Sequence, residues 1–280
     1  MTISESPRIV LRTRGAQVVY PNGTTGIQPT DFCVSAGEYV VLLGSSGAGK
    51  STLLRALNGL VPLSAGALEV EDGTTLRSAA AWRAHRQKTG MVFQQHQLIG
   101  RLSVLANVLT GRLGYHGALR TLFPFPRADR IMALEALDRV GLLDYALKRA
   151  DELSGGQQQR VGIARALAQA PCLMLADEPV ASLDPASAAH VLTLIRDVCK
   201  ADGIAAVVSL HQVDLARQFA DRIVGMAGGA IVFDGAPQDL GSVALERLYG
   251  RMTSAPARNL SEHRERAPAT LRPRMSAGTT

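Results

Sequence analysis

Residues 44–51 read Gly-Ser-Ser-Gly-Ala-Gly-Lys-Ser and fit the spacing G-x-x-x-x-G-K-[ST]. Each residue type suits phosphate chemistry. Gly44, Gly47 and Gly49, with the small Ser45, Ser46 and Ala48 between them, let the backbone wrap closely enough to aim N–H groups at phosphate oxygens. A helix starting at this point adds the favourable end of its dipole. Lys50 can reach the β- and γ-phosphates, and the Ser51 hydroxyl can ligate Mg2+, with Thr52 adjoining. The pattern implies a nucleoside triphosphate, with Mg2+ as the expected metal.

Such a loop needs an acid on a neighbouring strand to hold the metal. The apolar run Cys172-Leu-Met-Leu-Ala ends in Asp177 and then Glu178. Asp177 suits the metal, and Glu178 suits the orientation and deprotonation of an attacking water. Leu-Ser-Gly-Gly-Gln (153–157), just before the helix-like QQRVGIARALA, offers Ser154 as a helix cap. Serine, glycines and a helix N-terminus together also suit an anion.

The elements that must position these residues follow from hydrophobic periodicity. GEYVVLL (37–43) is a near-continuous apolar run, as a strand buried on both faces requires, and STLLRALNGL after the loop recurs at helical spacing. GMVFQ (90–94), CLMLAD (172–177) and IAAVVSLH (204–211) read as further buried strands, the last two each preceded by a helix-like segment. This alternation predicts an α/β fold with a parallel-type sheet covered by helices. The N-terminal stretch reads as short strands, LEVEDGTTL as a hairpin around Asp72-Gly73, and 98–150 as an irregular helical insertion. After about residue 250, Ala, Pro, Arg, Ser and Thr dominate, which predicts a disordered tail.

Composition excludes several classes. The 280 residues are 46% hydrophobic and 19% charged, ordinary for a globular protein. Aromatics at 4% argue against a stacking nucleic-acid binder. The net charge of +6 includes six arginines against Glu262 and Glu265 in 251–280, or +4, leaving +2 for the rest. The basic balance thus describes the tail rather than a binding face. Three unpaired-looking cysteines (33, 172, 199) predict neither a disulfide framework nor a zinc site. No apolar run reaches about 18 residues, and the N-terminus lacks the pattern of a secretory signal.

With its loop, strand acids and LSGGQ, the chain resembles the ATP-binding cassette (ABC) ATPases over roughly residues 8–250. The resemblance implies a P-loop NTPase fold of ABC type: a RecA-like mixed-sheet core, an N-terminal antiparallel β subdomain, and a helical subdomain at about 95–165. It further implies that Tyr20 stacks on adenine and that Gln94 (or its neighbour Gln95) contacts Mg2+ and the attacking water. Asp184, in Ser182-Leu183-Asp184, would couple two composite sites, and His211 would touch the γ-phosphate. Ser154, Gly155, Gly156 and Gln157 would close over the nucleotide of a second copy packed head to tail. QLIGRLSVLANVLTGRLG and SLHQVDLARQFADRIVG resemble the ATP-binding subunit of phosphonate importers. That branch implies two membrane-spanning permease subunits, an extracytoplasmic substrate-binding protein and a peripheral place on the cytoplasmic face of the inner membrane. Position 96 is His where aromatics are frequent in that branch, and the resemblance carries no counterpart over to the tail 251–280. An importer for amino acids or methionine would share the catalytic residues, as would a non-transport ABC ATPase.

Overall fold

The computed structural model describes residues 8–71, 73–95, 97–117 and 123–250. The tail from 251 on, His96 and the Asp72 of the expected hairpin lie outside the described residues.

The centre of the fold is β3 (Tyr39–Leu43), all five residues of which are buried. Its side chains alternate between two cores, as period-2 geometry requires. Tyr39, Val41 and Leu43 join one cluster, and Val40 and Leu42 join the other. Each such Val or Leu contributes roughly 1.5–3 kcal/mol over its exposed state. Around β3 run β5 (Thr89–Val92), β6 (Leu173–Asp177), β7 (Ala205–Leu210), β8 (Arg222–Ala227) and β9 (Ala230–Gly235), in the order β5-β6-β7-β3-β8-β9. All pairs are parallel except β8–β9, so the expected mixed α/β sheet is present. The two C-terminal strands of that sheet are additions to the sequence reading. A second, antiparallel sheet has the order β2-β1-β4, from β1 (Ile9–Val19), β2 (Thr25–Ser35) and β4 (Ala65–Val70).

Two expectations need adjustment. β5 stops at Val92, so Gln94 sits on an exposed bend two residues beyond the strand rather than at its end. β4 pairs mainly with β1, and the hairpin that follows it is present but short: Glu69 bridges Thr75, Val70 N donates to the Thr74 carbonyl at 3.0 Å and Leu76 N to that of Leu68 at 2.8 Å. Pairing across 50 residues of chain carries no local signal.

The helices follow their caps and apolar faces. In α1 (Lys50–Leu57), Lys50, Leu53, Leu54 and Leu57 share the buried face at i, i+3, i+4 and i+7. The α6 helix (Pro185–Asp202) begins with Asp184 accepting from the Ala186 and Ser187 amides and Pro185 at its first position. In α5 (Gly155–Leu167) Ser154 and Gln157 form a reciprocal capping box. Residues 97–153 carry α3 (Val104–Leu109) and α4 (Arg127–Arg139) with short 3-10 turns, and α3, α4 and α5 pack on one another. The remaining helices are α2 (Ala79–Gln87), α7 (Val213–Phe219) and α8 (Ser242–Tyr249). No helix among the described residues is long and apolar enough to cross a membrane.

Candidate functional site

The phosphate loop leaves β3 at Leu43 and enters α1 at Lys50, with Gly44, Gly47 and Gly49 all at positive φ. Two of these glycines are also required by close approach. A Cβ on Gly44 would lie 2.3 Å from the Met226 carbonyl oxygen, and one on Gly49 would lie 2.7 Å from that of Gly26. The loop backbone thus packs directly against the backbone of the two sheets.

Lys50 is 4% exposed. Its Nζ donates to the Gly44 carbonyl at 2.7 Å and the Ser45 carbonyl at 3.0 Å, and stands 4.0 Å from Glu178 Oε1. Burial pushes its ammonium below the ordinary 10.5, while Glu178 and Asp177 pull the other way. Ser51 Oγ donates to Asp177 Oδ1 at 2.7 Å, and Arg55 lies 3.7 Å from Asp177 Oδ2. Glu178 follows at φ +46, a left-handed conformation that costs a non-glycine residue of order 1–3 kcal/mol and persists where the surroundings enforce it. His211 Nδ1, just past β7, approaches Glu178 Oε1 to 3.5 Å. Lysine, hydroxyl, two carboxylates and imidazole converge from the ends of β3, β6 and β7.

Tyr20 follows β1, and its hydroxyl pairs with Thr52 Oγ1 at 2.9 Å, tying the antiparallel sheet to α1. Gly26 lies beneath its ring, where a Cβ would meet Tyr20 Cε2 at 2.7 Å. Gln94 is exposed, and no hydrogen bond among the described residues links it to this cluster. The capping box holds the 153–157 loop: Ser154 N donates to Gln157 Oε1 at 2.9 Å. Ser154, Gly155, Gly156 and Gln157 line a hollow of about 540 Å3 with Asp184, Arg160 and His190, and no phosphate-loop residue reaches it. A hydrogen bond with Ser187 and the capping contacts hold the Asp184 carboxyl below its ordinary 3.8. A roomier hollow of about 860 Å3, lined by Arg8, His85, Lys88 and Cys172 among others, shares no residue with the phosphate loop.

The Ser51 hydroxyl and Asp177 carboxylate form a small hard-oxygen donor set. Among the described residues no group of three or more His, Cys, Asp or Glu could hold a metal alone. One carboxylate with a hydroxyl, leaving other positions to water and phosphate oxygens, fits Mg2+. Ser209 is the participant that the motifs did not point to, since a lone serine in an apolar strand reads as filler.

Loop, strand acids and parallel-sheet setting define a P-loop nucleotide-binding site. The profile of the ABC transporter family matches residues 27–181. The chain is 58% identical over 267 residues to the phosphite import ATP-binding protein PxtA of Stutzerimonas stutzeri, covering 95% of both chains. It is also 58% identical over 233 residues to the phosphonates import ATP-binding protein PhnC 3 of Nostoc sp., covering 83% of this chain and 89% of that protein. Among solved structures, it superposes on the ATP-binding cassette MJ0796 bound to ADP and Pi with a TM-score of 0.70 and 31% identity, covering 81% of this chain and 98% of that one. For cbiO1 from Clostridium perfringens the TM-score is 0.74 at 27% identity, covering 86% and 94%. The chain belongs to the ABC transporter family. Its cassette is an ATP-binding ATPase domain.

Proposed function

We propose that this chain is the ATP-hydrolysing subunit of an importer for phosphorus oxyanions, phosphonates or phosphite. The observation that carries the catalytic part is the convergence of Lys50, Ser51, Asp177 and Glu178 at the strand ends. The substrate class rests on the two relatives at 58% identity, whose names divide between phosphite and phosphonates. Both oxyanions therefore belong to the proposal.

The loop amides from Gly44 to Ser51, with Lys50 and Thr52, hold the triphosphate, and Tyr20 stacks on adenine. Ser51 and Asp177, with Gln94 reaching in, would hold Mg2+, which when bound neutralises phosphate charge. Glu178 takes the proton of the attacking water, and His211 stabilises charge at the γ-phosphate. Ser154, Gly155, Gly156 and Gln157 serve the nucleotide of a second copy, with Asp184 coupling the sites. The separation of their hollow from the phosphate loop supports this reading, because within one chain they have no phosphate to bind. Residues 8–250 form the ATPase domain, with 95–165 as its helical subdomain. Two membrane-spanning permease subunits and an extracytoplasmic substrate-binding protein complete the assembly, and the ATPase pair sits on the cytoplasmic face of the inner membrane.

Glu178→Gln tests the assignment. It keeps ATP affinity within about twofold and lowers hydrolysis at least a hundredfold, the range expected when a general base is removed. Normal turnover in this variant would overturn the role given to Glu178.

A further inference from the structure

Ser209 is the one polar side chain in β7 and is fully buried. In the parallel register it pairs with Asp177 on one side and with Leu42 on the other. Side chains paired this way project to the same face of the sheet. Its hydroxyl is used twice. Ser209 Oγ donates to Asp177 Oδ1 at 3.0 Å and accepts the Glu178 amide N–H at 2.8 Å. Asp177 Oδ1 therefore takes hydrogen bonds from both Ser51 and Ser209, so that oxygen is held from α1 and from β7 at once. The Glu178 backbone, at φ +46, is tethered by the same hydroxyl at the point where it turns out of the strand. A hydroxyl in an otherwise apolar strand is costly to bury unless it is satisfied, and here both of its roles serve the catalytic carboxylates.

We propose that Ser209 is a positioning residue for hydrolysis, acting through Asp177 and Glu178 together. By fixing Asp177 it sets the aim of the oxygen that would face Mg2+. By holding the Glu178 amide it keeps the base at the strand exit, where it can meet the water. It touches neither nucleotide nor water itself. This inference rests on the roles proposed above for Asp177 and Glu178.

The experiment compares the full-length chain with Ser209→Ala, Ser209→Thr and Glu178→Gln. ATP binding is measured in EDTA and in Mg2+, alongside hydrolysis and thermal unfolding. Ser209→Ala is expected to bind ATP in EDTA within about twofold of wild type. It should lose about tenfold of the affinity that Mg2+ adds, and hydrolyse ten- to a hundredfold more slowly, the range for removing a group that orients a metal ligand. Ser209→Thr, which keeps the hydroxyl, recovers most of both. Wild-type Mg2+ dependence and turnover in Ser209→Ala would overturn the proposal. So would equal losses of binding with and without Mg2+, scaling with lost melting temperature, because those mark a merely structural serine. Should Ser209→Ala not fold, Ser209→Cys carries the same comparison with a weaker donor and acceptor. An inactive Glu178→Gln beside a normal Ser209→Ala refutes the positioning role alone, whereas an active Glu178→Gln refutes the site assignment beneath it.

Discussion

Ser51 Oγ and Asp177 Oδ1 are 2.7 Å apart across 126 residues of chain. The bond joins the first turn of α1 to the end of β6, so the phosphate loop and the strand carboxylate form one rigid unit. A hydroxyl and a carboxylate already in contact need little rearrangement to share a cation, and that preorganisation is where such sites gain their rate.

Ser51→Ala therefore raises the Mg2+ concentration for half-maximal hydrolysis by about tenfold or more, while Ser51→Thr stays close to wild type. Titrating Mg2+ at saturating ATP checks this. An unchanged Mg2+ requirement in the alanine variant would remove Ser51 from the metal site.

The turn between β8 and β9 forms part of the phosphate loop's support. Gly229 N donates to the Ala48 carbonyl at 3.0 Å, and its own carbonyl accepts from Gln28 N at 2.8 Å. Gly229 has φ +79, and a Cβ there would lie 3.1 Å from the Gly26 carbonyl oxygen. Gly229→Ala should cost about 1–2 kcal/mol from backbone conformation alone. It should also weaken ATP binding severalfold, because relieving the strain at this position shifts the amide that donates to the Ala48 carbonyl. Thermal unfolding with and without ATP reads both effects, and a variant equal to wild type in each would contradict the clamp.

In the helical region, α4 is held by a buried ion cluster. Asp129, 4% exposed, accepts from Arg112 Nε at 2.9 Å and His116 Nε2 at 2.6 Å. Burial works to raise its carboxyl, but the Arg112 and His116 contacts outweigh it and hold the group below its ordinary 3.8. A carboxyl depressed in the folded state adds stability that is present above its unfolded value and disappears as pH falls through the folded one. Wild-type stability should accordingly drop below about pH 4. At pH 7, Arg112→Ala leaves Asp129 with His116 as its remaining partner and should cost about 1–3 kcal/mol. Chemical denaturation at pH 7 and pH 3.5 tests both statements. A variant as stable as wild type at pH 7 would show that the cluster contributes nothing.

Much of the site was legible because its signals are local. Gly44 to Ser51 is one continuous loop whose glycines the backbone requires, and Asp177-Glu178 follow an unbroken apolar strand. The Ser154–Gln157 capping box is likewise a matter of neighbouring residues. What escaped the sequence is non-local. Ser209 acts only because β7 lies beside β6 in a register that sets it opposite Asp177. The Tyr20–Thr52 contact and the Arg112–Asp129–His116 cluster depend equally on tertiary approach. β5 ends two residues before the run GMVFQ suggests, because Phe93 prolongs an apolar pattern that the backbone abandons at Val92.

The most direct test of the account is growth and uptake by a strain deleted for this gene, supplied with phosphonate, phosphite or phosphate as sole phosphorus source. Wild-type and Glu178→Gln genes serve as rescue controls. The account predicts loss of growth and uptake on phosphonate or phosphite, intact growth on phosphate, and rescue by the wild-type gene alone. Unimpaired growth and uptake on all three, in a strain with no second importer for these compounds, would contradict it.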